Sequence, residues 1–149
     1  MIFDKEAGLF LVNYEIGSGL FGATSFKLSM TVFQSECTVN GSGQINQSTN
    51  PPNKVRTKFG GSFHSLTIAD NEMILIKTTG YPVIHWPPQS GIGPAIMPNL
   101  ELCMALQSDW NTGTANFKYR SKIFDGIDDW VEVKDVPVKV SANNALEVA

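Results

Sequence analysis

Alternation of apolar and polar side chains with a period of two residues is the feature that most constrains this fold. Within 24–33, the apolar residues Phe26, Leu28, Met30 and Val32 alternate with the polar residues Lys27, Ser29 and Thr31. Successive side chains of a β-strand point to opposite faces of the sheet, so this pattern predicts a strand with one buried face. The segments 39–45, 55–63, 100–107 and 115–120 repeat the pattern.

Further segments of strand length complete the pattern at 8–16, 72–78 and 130–140. Turn signals separate several of the strands, the clearest being Asn-Pro-Pro-Asn at 50–53 and Trp-Asn-Thr-Gly at 110–113. We therefore predict a single all-β domain over 1–149, with a frayed tail from about residue 142. Its expected architecture is an antiparallel β-sandwich of about eight or nine strands, and the alternative is a closed or partly open β-barrel.

Two glycines occupy apolar positions of the alternating pattern. Gly41 and Gly43 stand where the neighbouring Val39 and Ile45 predict inward-facing side chains. A glycine inside a strand marks a bend or the close approach of a bulky neighbour. We expect one of these two situations here.

Charge excludes some classes of partner. The 149-residue chain has a formal net charge of −3, which creates no long-range attraction for a polyanion, so we predict no nucleic-acid partner. Lys54, Arg56 and Lys58 form a local basic row that alternates with Val55, Thr57 and Phe59. This alternation predicts the solvated face of a strand.

The compartment follows from the N-terminus and the cysteines. Asp4, Lys5 and Glu6 interrupt any apolar leader, and no stretch reaches the roughly 18–20 apolar residues that span a bilayer. Cys37 and Cys103 lie far apart without a metal-ligand spacing, which favours reduced thiols over a disulfide or a zinc site. We expect a cytoplasmic protein with no membrane span, no metal and no cofactor.

The segment 80–99 is neither a regular strand nor a polar loop. It reads GYPVIHWPPQSGIGPAIMPN and contains five of the eight prolines, which exclude a helix or a central strand. A long irregular connection rich in apolar residues either packs against one end of the domain as a plug or forms a functional rim. Both interpretations remain open at this point.

The rim interpretation assigns candidate residues to a binding site. Tyr81 and Trp86 offer flat apolar faces, while His85, Gln89 and Asn99 offer hydrogen bonds. An aromatic face beside amide and imidazole groups suits a sugar ring, which has an apolar face and a polar edge. The same apolar cluster also suits the core of a protein interface.

Other motifs do not support catalysis. Gly91–Pro94 lacks the spacing of a phosphate-binding loop, and Asp125–Asp129 lacks that of an EF-hand, so we interpret the latter as a turn. His64 lies on the polar side of a predicted strand, and no serine or cysteine has a recognisable activating neighbour in the sequence. We predict no catalytic residue.

Four motifs in order and rough spacing carry a family resemblance: GQINQSTNPP, GYPVIHWPP, GIGPAIMPN and DWNTGTANFKY. They resemble the family catalogued as domain of unknown function 1842, over about residues 24–140. The resemblance implies a small β-rich bacterial protein. It brings no established activity, so it assigns a role to no residue.

The function we predict is non-enzymatic: a structural or protein-interaction domain that self-associates as a homo-oligomer or binds another protein. Its surface would be the 80–99 loop or an open sheet edge. The alternative is a module that binds a carbohydrate or another small ligand with the 80–99 loop as its rim. An enzyme is the least favoured class.

Overall fold

A computed structural model describes residues 8–18, 23–47, 53–83, 97–120 and 130–141. These residues form eight β-strands: β1 (Leu9–Ile16), β2 (Ser25–Phe33), β3 (Thr38–Gln47), β4 (Asn53–Ile68), β5 (Asn71–Pro82), β6 (Leu100–Gln107), β7 (Thr112–Tyr119) and β8 (Val131–Val140). The predicted turn at 50–52, the segment 84–96, the acidic stretch from 125 to 129 and the tail from 142 lie outside the described residues.

The eight strands form one closed barrel in which each strand pairs with its neighbours in the sequence. All pairs are antiparallel, and β8 returns to pair with β1. The all-β prediction is confirmed, and of its two architectures the barrel is the one that forms. Closure depends on a short ladder, in which Tyr14, Glu15 and Ile16 of β1 oppose Val140, Lys139 and Val138 of β8.

Because the strands run alternately up and down, their ends meet in two groups. One group includes the start of β1 and the connections β2–β3, β4–β5 and β6–β7, and we call it the Trp110 end. The other group includes the residues that lead into β6, and we call it the Asn99 end. The inward residues of every strand alternate with outward residues, as the sequence pattern predicts.

Aromatic rings fill the interior. Phe26 lies with its ring centroid 6.4 Å from that of Phe59 and 5.5 Å from that of Phe117, and Phe117 stacks on Tyr119 at 6.0 Å. An eight-stranded barrel is just wide enough for side chains to fill it. The centre of this barrel is therefore a packed core, and the surfaces available for binding lie outside it.

Trp110 closes one end of the barrel. It lies in the β6–β7 turn, is buried, and adopts a left-handed backbone conformation with φ of 65°. Its ring makes edge-to-face contacts with Phe10 at 5.1 Å and Phe63 at 5.2 Å. Tyr14 donates a hydrogen bond of 2.6 Å to the Trp110 carbonyl oxygen. This bond connects the β6–β7 turn to β1, the strand that closes the barrel.

Gly41 and Gly43 face inward against large side chains. A Cβ atom on Gly41 would lie 2.6 Å from Cζ of Phe59 and would also collide with the carbonyl oxygen of Ser29. A Cβ atom on Gly43 would lie 2.5 Å from Cε1 of Phe26. Of the two situations expected for these glycines, the close approach of a bulky neighbour is present at both.

No helix in the described part of the chain is long and apolar enough to cross a membrane.

Substitution of Gly41 tests the close packing between β3 and the interior. We expect Gly41→Ala to lower the free energy of unfolding by about 1–3 kcal/mol, because the new methyl group collides with a ring and with backbone. Ser42→Ala, at the adjacent outward and exposed position, should change it by less than about 0.5 kcal/mol. Urea unfolding followed by tryptophan fluorescence measures both values. Equal effects of the two variants would contradict the packing argument.

Tyr14 gives the fold a dependence on alkaline pH. Burial, with the negative charge of Asp109 as a second cause, raises the pKa of Tyr14 well above its usual range. The phenol of Tyr14 ionises near pH 10 in the unfolded chain, whereas it keeps its proton in the folded chain. The protein therefore has the full stabilisation from this group below about pH 10 and loses stability as the pH rises further. The decline reaches about 1.4 kcal/mol for each further pH unit.

Tyr14→Phe removes this ionisation together with the hydrogen bond to Trp110. We expect the variant to be about 1–3 kcal/mol less stable near pH 8 and to lose stability less steeply than the wild type above about pH 10. Urea unfolding at a series of pH values measures both slopes. Parallel curves for the two proteins would show that Tyr14 does not contribute to the alkaline decline.

Candidate functional site

The structure describes two of the five predicted binding residues and separates them by burial. Tyr81 is 47% exposed on the outer face of β5, whereas Asn99 is 2% exposed. His85, Trp86 and Gln89 lie outside the described residues, so their binding role stays a prediction.

Asn99 holds the return of the long connection against the barrel. Its side-chain oxygen accepts a 2.8 Å hydrogen bond from Oγ1 of Thr57, and its side-chain nitrogen donates one of 3.1 Å to the carbonyl oxygen of Arg56. Its backbone N–H donates to the carbonyl oxygen of Gly80, and its carbonyl oxygen accepts from the N–H of Arg120. Both ends of the Asn99 side chain are therefore engaged within the protein.

Arg120 extends this anchor towards the last strand. Its Nε donates a 3.0 Å hydrogen bond to the carbonyl oxygen of Pro98, and its guanidinium carbon lies 5.0 Å from the ring centroid of Trp130. Lys118, two residues earlier, places its Nζ 5.1 Å from the same ring. A cation near an aromatic face is attracted by the ring quadrupole. These contacts therefore hold Trp130, the residue before β8, against the end of β7.

Exposed apolar side chains flank the long connection at the Asn99 end. Tyr81 and Val83 precede it and Met97 follows it, and all three are exposed. Tyr81 is also the cross-strand neighbour of Lys58 on the outer face. The described part of the 80–99 segment thus combines a buried anchor at Asn99 with apolar side chains on the surface.

A second exposed apolar surface lies at the Trp110 end, on the hairpin formed by β4 and β5. We call residues 64–75 the hairpin arm. From His64 to Glu72, the residues on both faces of the hairpin are exposed, so this part of the arm extends beyond the barrel. Met73 to Leu75, at its base, pair with β6, and Ile74 is buried in the core. Its outer face carries Leu66 at 43% exposure, Ile68 at 53% and Leu75 at 40%.

The arm has one open edge. β3 begins at Thr38, which opposes Ser62, and the last backbone hydrogen bond on that side runs from the Phe63 N–H to the carbonyl oxygen of Cys37. On the other side, β5 pairs with β4 along the whole arm. Among the described strands, none lies beside the outer edge of residues 64–68.

The strand predicted from the alternating pattern ends at Phe63, so the prediction does not include the arm. The signal was present, because His64, Leu66 and Ile68 continue the outward positions of β4. Ala69 and Asp70 then form a two-residue turn with φ of 49° and 65°. Positive φ at both central residues is typical of the type I′ turn of a tight β-hairpin.

The remaining chemical predictions fall on the outer surface. His64 is exposed, as are Lys54, Arg56 and Lys58, which confirms the solvated face of that strand. Cys37 and Cys103 are exposed free thiols. In the described part of the chain, no group of three histidine, cysteine, aspartate or glutamate residues is placed to hold a metal ion.

Removal of the Asn99 side chain tests its role as an anchor. Asn99→Ala removes the acceptor of the shorter of the two hydrogen bonds made by the buried Thr57 hydroxyl, leaving it the 3.4 Å contact with the Tyr81 carbonyl oxygen, and removes the donor to the Arg56 carbonyl. We therefore expect the free energy of unfolding to fall by about 2 kcal/mol. Asn40→Ala, on the exposed face of β3, should change it by less than about 0.5 kcal/mol. Urea unfolding measures both. If the anchor is real, Thr57→Val combined with Asn99→Ala will cost less than the sum of the two single changes.

Comparisons with known proteins identify the family of this chain. A search of curated proteins found no match. The family model described as domain of unknown function 1842 matches residues 7–123, which include β1 to β7. This match begins and ends earlier than the region of about 24–140 that the sequence motifs indicated. Since it includes more than half of the chain, the protein belongs to the family of domain of unknown function 1842.

Proposed function

We propose that this protein is a non-enzymatic interaction module that self-associates through its hairpin arm. The observation that carries the proposal is the open edge of β4 beside an exposed apolar face. An unpaired strand edge presents a row of backbone donors and acceptors that can pair with another chain. The occupant we propose is the same edge of a second copy.

The sequence of the edge supports pairing. Residues 64–68 read His-Ser-Leu-Thr-Ile and contain no lysine, arginine, aspartate, glutamate or proline. Soluble proteins commonly protect open edges with such residues, or with a bulge or a covering segment. The absence of charge and proline from this edge leaves its backbone available for a ladder.

Two copies of the arm fit a symmetric dimer. Antiparallel pairing of one β4 edge with another is related by a two-fold axis, so the same residues serve both partners. A ladder centred on Leu66 would place the leucines of the two copies beside each other, with Ile68 at either end. Burial of these side chains would supply an apolar contribution to the backbone ladder.

Light scattering after size exclusion tests the proposal. We expect the wild-type mass to rise with concentration from the 16.3 kDa of one chain towards twice that value. Leu66→Lys should weaken the association at least about tenfold, because each dimer would bury two charges at its centre. A mass that stays at one chain at the highest concentration would overturn the proposal.

Leu11→Lys is the matched control. Leu11 is also a leucine on the outer face of a strand, and its exposure of 43% equals that of Leu66. The control should therefore self-associate like the wild type. Equal weakening by both variants would place the effect in general surface charge instead of the arm.

A role in binding a carbohydrate or another small ligand is the second candidate. The exposed Tyr81, beside Lys58 on the outer face, is the described observation that favours it. Thermal melts of the wild type against a panel of sugars test this candidate, and Tyr81→Ala should abolish any shift in melting temperature that depends on the ring.

A further inference from the structure

A cavity of about 530 Å³, wide open to solvent, lies on the outer face of β1 to β4, towards the Asn99 end. Ligand sites commonly have volumes of about 300–1,000 Å³. Its polar lining includes the side chains of Lys27, Ser29, Ser42, Gln44, Arg56 and Lys58. We infer that this cavity is a binding site for a small anionic molecule that also carries hydroxyl groups, such as a sugar acid or a sugar phosphate.

Strand register brings these side chains together in two rows on the outer face. Lys27, Gln44 and Arg56 oppose one another across β2, β3 and β4. The second row places Ser29, Ser42 and Lys58 in the same order.

The spacing of the three cations suits a small ligand. Adjacent strands lie about 4.8 Å apart, so the Cα atoms of Lys27 and Arg56, two strands apart, are separated by about 10 Å. Arg56 and Lys58 are two residues apart on one face, which corresponds to about 7 Å along the strand. Long side chains from these positions can reach one or two anionic groups of the same molecule.

The local charge is opposite in sign to that of the whole chain. The formal net charge of the protein is −3, yet three cations and no carboxylate occur among the described residues that line the cavity. Lys27 lies 3.8 Å from Glu15, measured from Nζ to Oε1. Within the described part of the structure, Arg56 and Lys58 form no ion pair, which leaves both charges available to a ligand.

Neutral polar side chains lie between the cations, and they suit a ligand that carries hydroxyl groups. The Ser29 and Ser42 hydroxyls can both donate and accept hydrogen bonds. Nε2 of Gln44 donates a 2.8 Å hydrogen bond to Oδ1 of Asn46, so its side-chain carbonyl oxygen and its second N–H remain for a ligand hydroxyl. Tyr81, the cross-strand neighbour of Lys58, adds an exposed ring beside this row.

The site is separate from the hairpin arm. Arg56 and Leu66 are ten residues apart along β4, which corresponds to about 33 Å in an extended strand. Ligand binding and self-association can therefore be measured independently.

Calorimetric titration of the full chain at low ionic strength tests the inference with three probes: D-glucuronate, D-glucose 6-phosphate and D-glucose. We expect at least one of the two acids to bind at least about tenfold more tightly than glucose, because charge-assisted hydrogen bonds contribute more than neutral ones. The acid that binds more tightly then shows whether the site prefers a carboxylate or a phosphate. Failure of both acids to bind, or glucose binding as tightly as the tighter acid, would overturn the inference.

Paired variants locate the binding. Arg56→Gln with Lys58→Gln should weaken binding of the tighter acid at least about tenfold. Lys77→Gln with Lys134→Gln removes the same charge from exposed positions of other strands and should leave the affinity within about twofold. An equal loss in both pairs would show a general charge effect and would overturn the site. Melting curves of each variant verify that all of them fold.

Discussion

The ladder between β1 and β8 is the contact on which the interior depends. Three residue pairs form it, from Tyr14 opposite Val140 to Ile16 opposite Val138. Backbone hydrogen bonds from the Gly17 N–H to the Pro137 carbonyl and from the Ser141 N–H to the Asn13 carbonyl flank these pairs. Without this ladder the sheet would be an open meander, and the apolar inner sides of its first and last strands would meet water. The hydrogen bond from Tyr14 to the Trp110 carbonyl joins this ladder to the turn whose tryptophan ring closes the Trp110 end. Closure of the sheet and closure of that end therefore involve the same residue.

The sequence predicts the strands well because the period of two records which residues face inward. It does not decide between a sandwich and a barrel, since both architectures bury one face of each strand and differ in whether the outermost strands meet. The arm shows a similar limit. The pattern of outward residues runs through Leu66 and Ile68, but exposure of both faces arises because β3 begins only at Thr38. The start of β3 relative to β4 depends on tertiary structure, which the alternating pattern does not encode.

The candidate site was harder to predict than the fold. Asn99 is a polar residue beside a proline-rich connection, and polarity alone suggests a surface position. Its burial follows from Thr57, which occupies an inward position and offers its hydroxyl to the Asn99 side chain. Two polar residues far apart in the sequence satisfy each other inside the barrel, and single-sequence patterns do not reveal such pairs. Tyr81 is exposed, and its binding role stays a prediction.

The up-and-down strand order also has a kinetic consequence. Every ladder except one joins strands that are consecutive in the sequence, so most of the sheet can assemble hairpin by hairpin through local encounters. The exception is the seam, which must bring together the first and last strands and bear the largest loss of chain entropy. We expect the rate-limiting barrier to folding to lie at this encounter. Joining the chain ends covalently would then accelerate folding more than stabilising any single hairpin.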